Sequence, residues 1–225
     1  MTDKQQAYAS LVQKRKTFRF AQLLNPSEIE DGRYDRDHVD LWASWQGNLD
    51  ALVMLVGKDF GGRDFFLRFK GGCDPNSVTN LNLMKLFSCL NINIGTPQTP
   101  EKSAPVFLTN AIIGIVDTDK KGGNRISSVS KLESTKEFLR PLMDIVDPKV
   151  IIAMGKEAYE CVSIAFDIPR AKSLRQALEE GPTMLPGNKF LFAVFHCGGL
   201  GLANRRLHQQ VDDWKRIATY MPRSS

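Results

Sequence analysis

The sequence predicts an α/β fold: a three-layer α/β/α sandwich around a central, mostly parallel four-stranded sheet. Three observations predict it. Four short, nearly uncharged runs punctuate the chain: Leu52-Val53-Met54-Leu55-Val56, Pro105-Val106-Phe107-Leu108-Thr109-Asn110, Val150-Ile151-Ile152-Ala153-Met154-Gly155 and Lys189-Phe190-Leu191-Phe192-Ala193-Val194-Phe195. Runs of this length, continuously apolar, suit strands covered on both faces. Longer stretches with helical spacing separate them, and such alternation is the mark of strand–helix–strand units with a parallel sheet. The length of 225 residues suits one domain spanning residues 1–225.

Residues 1–50 read as an N-terminal helical extension packed on that domain. Tyr8, Leu11 and Val12 have helical spacing, and Asn25-Pro26-Ser27-Glu28 is a turn. Residues 37–45 fit a helix that buries Val39, Trp42 and Trp45. The first strand stops at Gly57. A helix over 77–90 follows, with Leu83, Leu86, Phe87 and Leu90 on one stripe. The second strand is followed by a polar stretch at 117–124, containing Lys120-Lys121-Gly122-Gly123, which reads as an exposed loop. Ser130-Lys131-Leu132-Glu133 has capping-box spacing. Pro141 should kink or restart the helix after it. The third strand leads into a helix over 156–165. After the fourth strand, Leu207, Val211, Trp214 and Ala218 mark the inner stripe of a C-terminal helix.

Composition narrows the function classes. Hydrophobic residues make up 42% and charged residues 24%, which excludes a disordered tail, a collagen-like fibre and a small disulfide scaffold. The apolar run at 106–116 is too short and too polar to span a bilayer. Met1-Thr2-Asp3-Lys4-Gln5-Gln6 lacks the apolar block of a signal peptide. An intracellular protein without a membrane partner is therefore expected. Lys plus Arg total 30 against 25 Asp plus Glu, a formal charge of +5, which permits an anionic partner such as nucleic acid. Cys73, Cys89, Cys161 and Cys197 form no C-x-x-C pair. They read as reduced, mostly buried thiols rather than metal ligands, and no metal or cofactor is expected.

In open parallel sheets ligands bind beyond the carboxyl ends of the strands. Gly57-Lys58-Asp59-Phe60-Gly61-Gly62 follows the first strand, Asn110 ends the second, Gly155-Lys156 follows the third, and His196-Cys197-Gly198-Gly199-Leu200-Gly201 follows the fourth. One edge of the sheet would then carry a carboxylate, an amide and an imidazole. A carboxylate can stabilise a cation or align water, an amide presents a donor and an acceptor together, and an imidazole can stabilise developing negative charge. Each has a structural alternative: Asp59 as a turn or N-cap residue, Asn110 bonded to backbone at a strand end, His196 packed and satisfied by one backbone bond.

These residues resemble the uracil-DNA glycosylase superfamily, over most of the chain from Leu52 to Ile217. An apolar strand followed by Gly57-Lys58-Asp59, a strand carrying Asn110, an apolar strand with Gly155 and a helix, and a strand ending in His196 before a small-residue loop are similar to that family's motifs in order and spacing. The resemblance implies roles. Asp59 and His196 would be catalytic: Asp59 stabilises an oxocarbenium-like sugar and positions water, and His196 bonds the base oxygen that gains charge. Asn110 would read the edge of a flipped pyrimidine, in a pocket with Gly57 and Gly61, and with Phe69 or Phe60 stacking on the base. Leu200, on the Gly198-Gly199 loop, would wedge into the emptied stack, with Arg205 and Arg206 near phosphates. The activity implied is hydrolysis of an N-glycosidic bond in DNA repair by base excision and base flipping, performed by a monomer with DNA as its partner.

The motifs also depart from the family. Phe60-Gly61 stands where the best-known branch has Pro-Tyr, so the group that excludes 5-substituted bases is missing. His196-Cys197-Gly198 replaces His-Pro-Ser, losing a rigid proline and a hydroxyl. The cysteines lack the spacing of the family's iron–sulfur branches. Two other readings compete. Gly199-Leu200-Gly201 opens a helix after a strand, as in a dinucleotide fingerprint, but Asn204 sits where a third small residue belongs and no acidic residue closes a following strand. A non-catalytic DNA- or protein-binding member of the glycosylase fold is the other.

Overall fold

The computed structural model describes residues 1–118 and 126–221. Its centre is a sheet of β1 (Val53–Asp59), β2 (Val106–Ile112), β3 (Val150–Met154), β4 (Thr183–Leu185) and β5 (Lys189–Val194), in the order β2-β1-β3-β5-β4. β2, β1, β3 and β5 run parallel, and β4 returns antiparallel to β5. The sheet thus has five strands, not four. The extra strand is a three-residue edge joined through Gly187 and Asn188, both with positive φ, a geometry that suits a tight hairpin.

Alternation within the strands makes three layers. Met54, Val56, Phe107, Ile151 and Leu191 face one core with Leu142, Val162 and residues of the first helix. Val53, Leu55, Leu108, Ile152 and Phe192 face the other with Leu83, Phe87 and Trp214. The first layer is α1 (Asp3–Thr17), α4 (Ser128–Ser134), α5 (Arg140–Val146) and α6 (Lys156–Ala165); α3 (Val78–Ser88) and α9 (Leu207–Ala218) cover the opposite face. Among the described residues no helix is long and apolar enough to cross a membrane.

Some sequence expectations shift. Val39, Trp42 and Trp45 are buried as their spacing suggests, but residues 37–45 form only a single 3₁₀ turn, Leu41–Ser44, capped by Asp40. The cap of α4 is Ser127, which accepts from the Ser130 N–H at 3.1 Å, and not Ser130 itself. Glu133 bonds the backbone N–H of Ala21. Pro141 does restart the helix: a π turn at Thr135–Leu139 precedes it and α5 carries it in its first turn. Proline cannot donate to the carbonyl four residues back; that carbonyl, Glu137, takes the Lys14 ammonium instead. Of the predicted loop at 117–124, residues from 119 onward lie outside the described residues.

The N-terminal extension is bound tightly. Arg15, 1% exposed, pairs with Asp35 at 2.6 Å and donates to the carbonyls of Arg36 and His38. That staple fixes residues 35–38, and the chain then runs along the outer edge of β2. There Leu108 donates to the Gln46 carbonyl at 2.8 Å and Asn48 to the Val106 carbonyl. The open edge of a sheet must be covered or paired, and this segment covers it.

Candidate active site

A cleft of about 300 Å³ opens at the carboxyl ends of the parallel strands, lined by Asp59 of β1, Asn110 of β2, Met154 of β3 and His196 beyond β5. Successive strands are added on one side of β1 (β2) and then on the other (β3), so the order of winding reverses there and the cleft lies where open α/β sheets place ligands. The three polar groups predicted from separate strand ends therefore share one site. Gly57, Lys58 and Phe60 complete the β1 side; Ser77, Thr79 and Asn80 face it from the start of α3.

Asp59 is the last residue of β1, paired in register with Ile112. It caps no helix: Gly62 holds the N-cap of α2 (Arg63–Arg68). Its carboxylate is mostly shielded and lies 3.1 Å from the Lys58 ammonium. A carboxylate held beside a cation, facing a cleft, can counter a positive charge on a bound sugar and order a water.

The Gly198 N–H lies 3.1 Å from His196 Nδ1. Nδ1 also lies 3.2 Å from the Gly198 carbonyl, so the Gly198 peptide holds the ring through Nδ1 in either tautomer. Nε2 has no protein partner among the described residues and is left to a ligand in the cleft. The backbone beneath is pinned twice: Gln210 donates to the His196 carbonyl at 3.2 Å, and Asn82 to the Cys197 carbonyl at 2.8 Å. These bonds supply the rigidity that a proline at 197 would give. The Cys197 side chain is fully buried against Thr79 and Met154, and burial pushes its thiol up to about 12. Cys73 lines the cleft and is likewise pushed up to about 12. Both stay protonated near neutrality and offer no thiolate.

Asn110 lies inside β2 rather than at its end, and its amide nitrogen does not bond neighbouring backbone. Nδ2 donates to the Asp40 carboxylate at 3.2 and 3.3 Å. Gly57 stands next to it because nothing larger fits: a Cβ there would come 2.5 Å from Asn110 Oδ1 and 2.7 Å from the Trp42 ring.

The aromatic lining is Trp42, Phe60 and Phe65. Phe69 does not reach the cleft; it packs behind Phe65 with ring centroids 4.7 Å apart. Gly61 has φ +114° and sits against the Phe65 ring, so glycine there permits both the backbone turn and the ring's approach. Asp40, Trp42 and Phe65 escape sequence reasoning. The first two belong to the N-terminal extension, and only the even spacing of buried aromatics there hints at them.

Beside the cleft, α8 (Gly199–Asn204) follows Gly198. Leu200 is 84% exposed, the most exposed large apolar side chain after Met1. Gly198 is confined by Thr79 Oγ1, and Gly199 has φ +45° with open space around it. Arg205 is not a free cation: its guanidinium makes a two-pronged pair with Asp213 at 2.5 and 2.6 Å. Arg206 is exposed and remains for an external anion. All four cysteines are free thiols, Cys73 and Cys89 half-buried and the other two buried. Among the described residues no cluster of His, Cys, Asp and Glu could hold a metal ion.

The sequence matches no known protein-family model, and no curated protein aligns with it significantly.

Proposed function

We propose that the chain is a monofunctional DNA glycosylase, acting as a monomer on uracil or a related deaminated or damaged base flipped out of DNA. The observation that carries this reading is convergence. Asp59, Asn110 and His196, from three strands, line one aromatic-walled cleft with an exposed leucine at its rim. Phe60, Phe65 and Trp42 suit a planar ring, Asn110 suits its hydrogen-bonding edge, and His196, with Nε2 left to the ligand, suits an oxygen that becomes anionic as the base departs when that nitrogen carries a proton. Asp59 then faces the sugar, where cationic character develops, and orders the attacking water. Leu200 fills the gap left by a flipped base, which otherwise costs roughly a few kcal/mol in lost stacking. Lys58, whose ammonium lies 3.1 Å from the Asp59 carboxylate, is on this reading a charge partner rather than a Schiff-base nucleophile, so the reaction proposed is hydrolysis that leaves the strand intact.

The test is base excision from labelled single- and double-stranded oligonucleotides carrying uracil, hypoxanthine, xanthine or 5-hydroxymethyluracil. Abasic sites without strand cleavage are expected from the wild type. Asp59→Asn should slow their appearance by about 10²–10⁴-fold, and borohydride should trap no covalent adduct. A folded wild-type protein that excises nothing would point to a binding module on the same fold.

A further inference from the structure

The N-terminal extension brings a buried carboxylate to the cleft, and its geometry has a chemical consequence. Asp40 is 3% exposed. Its Oδ2 accepts the Trp42 N–H at 3.0 Å. The backbone N–H of Asn110 also bonds it, as does the Asn110 amide nitrogen. An ionised carboxylate only accepts hydrogen bonds. Asn110 must therefore turn its NH₂ toward Asp40. Its Oδ1 then lies over Gly57 on the cleft floor, where the missing Cβ leaves it uncovered. The reverse orientation would set Oδ1 against an anionic oxygen in a dry site.

We propose that Asp40 is the positioning residue of this site: it locks the Asn110 amide with its carbonyl oxygen toward the cleft, so that the cleft selects a ring presenting an N–H there, as uracil does, over one presenting a bare nitrogen, as cytosine does. This rests on the glycosylase reading for its substrate, while the lock itself is a property of the protein alone.

The lock depends on Asp40 being charged. Burial pushes its carboxyl up to about 6, against the bonds from Trp42 and Asn110 and the attraction of Arg15, which pull it down. Arg15 and Tyr8 of α1 and the thiol of Cys73 are the other titratable groups that face it. Tyr8 and Cys73 are each pushed up to about 12, far from the pH at which Asp40 changes charge; His38, 3.4 Å from the Tyr8 hydroxyl, is held below its usual range by burial. Once protonated, Asp40 can donate, and the amide is free to turn. Selectivity for the N–H ring therefore falls as the pH drops below about 6.

Asp40→Asn tests this. Its single oxygen can no longer serve both backbone N–H groups and the Asn110 amide, and its NH₂ favours the opposite amide orientation at Asn110. Two measurements separate the lock from the glycosylase reading. In the first, the side-chain amide signals of Asn110 are followed by NMR in the free protein from pH 5 to 8. They should titrate with a midpoint near 6 in the wild type and stay flat in Asp40→Asn; an Asn110 signal that does not move in the wild type overturns the proposal even if uracil is excised. In the second, excision is compared for uracil and cytosine. Asp40→Asn should shrink the uracil-to-cytosine ratio at least tenfold and remove the acid-side loss of selectivity, with a melting curve showing an intact fold. In an Asn110→Ala background the same substitution should change the ratio by less than twofold. An unchanged ratio in Asp40→Asn, or an equal effect in both backgrounds, sinks the lock and leaves the glycosylase standing.

Discussion

The two walls of the cleft are built on opposite plans. On the β1–β2 side the reading amide is held from behind: Asn110 by Asp40, Asp40 by the Trp42 turn, and that turn by a chain segment stapled through Arg15. Gly57 is hemmed in on that side by an amide and an indole. On the His196 side the imidazole is held by the Gly198 peptide, but the loop beyond it carries a leucine that is largely exposed and a glycine with open space around it. The first wall is complete without a ligand. The second presents an exposed leucine. Under the proposed function this is a division of labour: a wall that discriminates between hydrogen-bonding edges is preorganised, while a wall that enters a stack of varying sequence needs only bulk and reach.

The comparison can be broken most sharply at Gly57. An alanine there drives a methyl group into both Asn110 and Trp42. Overpacking of this kind costs roughly 1–3 kcal/mol, and it displaces the reading amide itself. Gly57→Ala should lower the melting temperature and reduce excision by more than about 10²-fold, because small misplacements at a reacting centre cost that much. Retained activity would mean that the first wall is more pliable than its packing indicates.

A second test reads the charge stored in that wall. The folded Asp40 carboxyl binds its proton at about 6 and an unfolded one at 3.8. Between those values the folded chain holds more protons than the unfolded one, so the stability it contributes is full below 3.8, falls as the pH rises from there to about 6, and is level above that, where both states are ionised. Over the full window this amounts to roughly 3 kcal/mol. Denaturant unfolding should therefore show Asp40→Asn more stable relative to the wild type at pH 7 than at pH 5, by roughly 1.4 kcal/mol of that total. A pH-independent difference would mean that Asp40 is already ionised in the folded protein across this range, its carboxyl not pushed up by burial.

The smallest effect belongs to the open wall. Leu200→Ala removes a side chain without folded-state contacts, so unfolding should be unchanged within about 0.5 kcal/mol. Excision from duplex DNA should drop roughly tenfold, about 1.4 kcal/mol of lost support for the extruded base, and excision from single strands should barely move. Equal losses on both substrates would assign Leu200 to the pocket rather than the stack.

The sheet was legible where burial on both faces erases alternation. The four parallel strands stand out because nearly every residue in them is apolar. β4 has only three residues, with Leu185 its one buried side chain and Met184 in solvent, so it carries no pattern. Residues 37–45 look helical because burial at 39, 42 and 45 repeats every third position, which a 3₁₀ turn with flanking extended chain satisfies equally. Asp59, Asn110 and His196 could be found because each is a polar residue at or near the end of an apolar run. Asp40 could not: it meets Asn110 across 70 positions, and nothing local distinguishes it from other aspartates before a turn. Phe65 and Phe69 lie four apart on either side of a short helix's end, and only the tertiary fold decides which of them faces the cleft.

The segment running along β2 has a bearing on how the protein could be dissected. Cutting before residue 50 would not trim an appendage from a self-sufficient catalytic module. It would strip the backbone partners from Val106 and Leu108 and turn β2 into a bare ribbon of unpaired amides and carbonyls. Such a ribbon templates strand addition. A shortened chain is thus expected to recruit its own copies edge to edge, so that truncation would surface as self-association before it surfaced as lost activity.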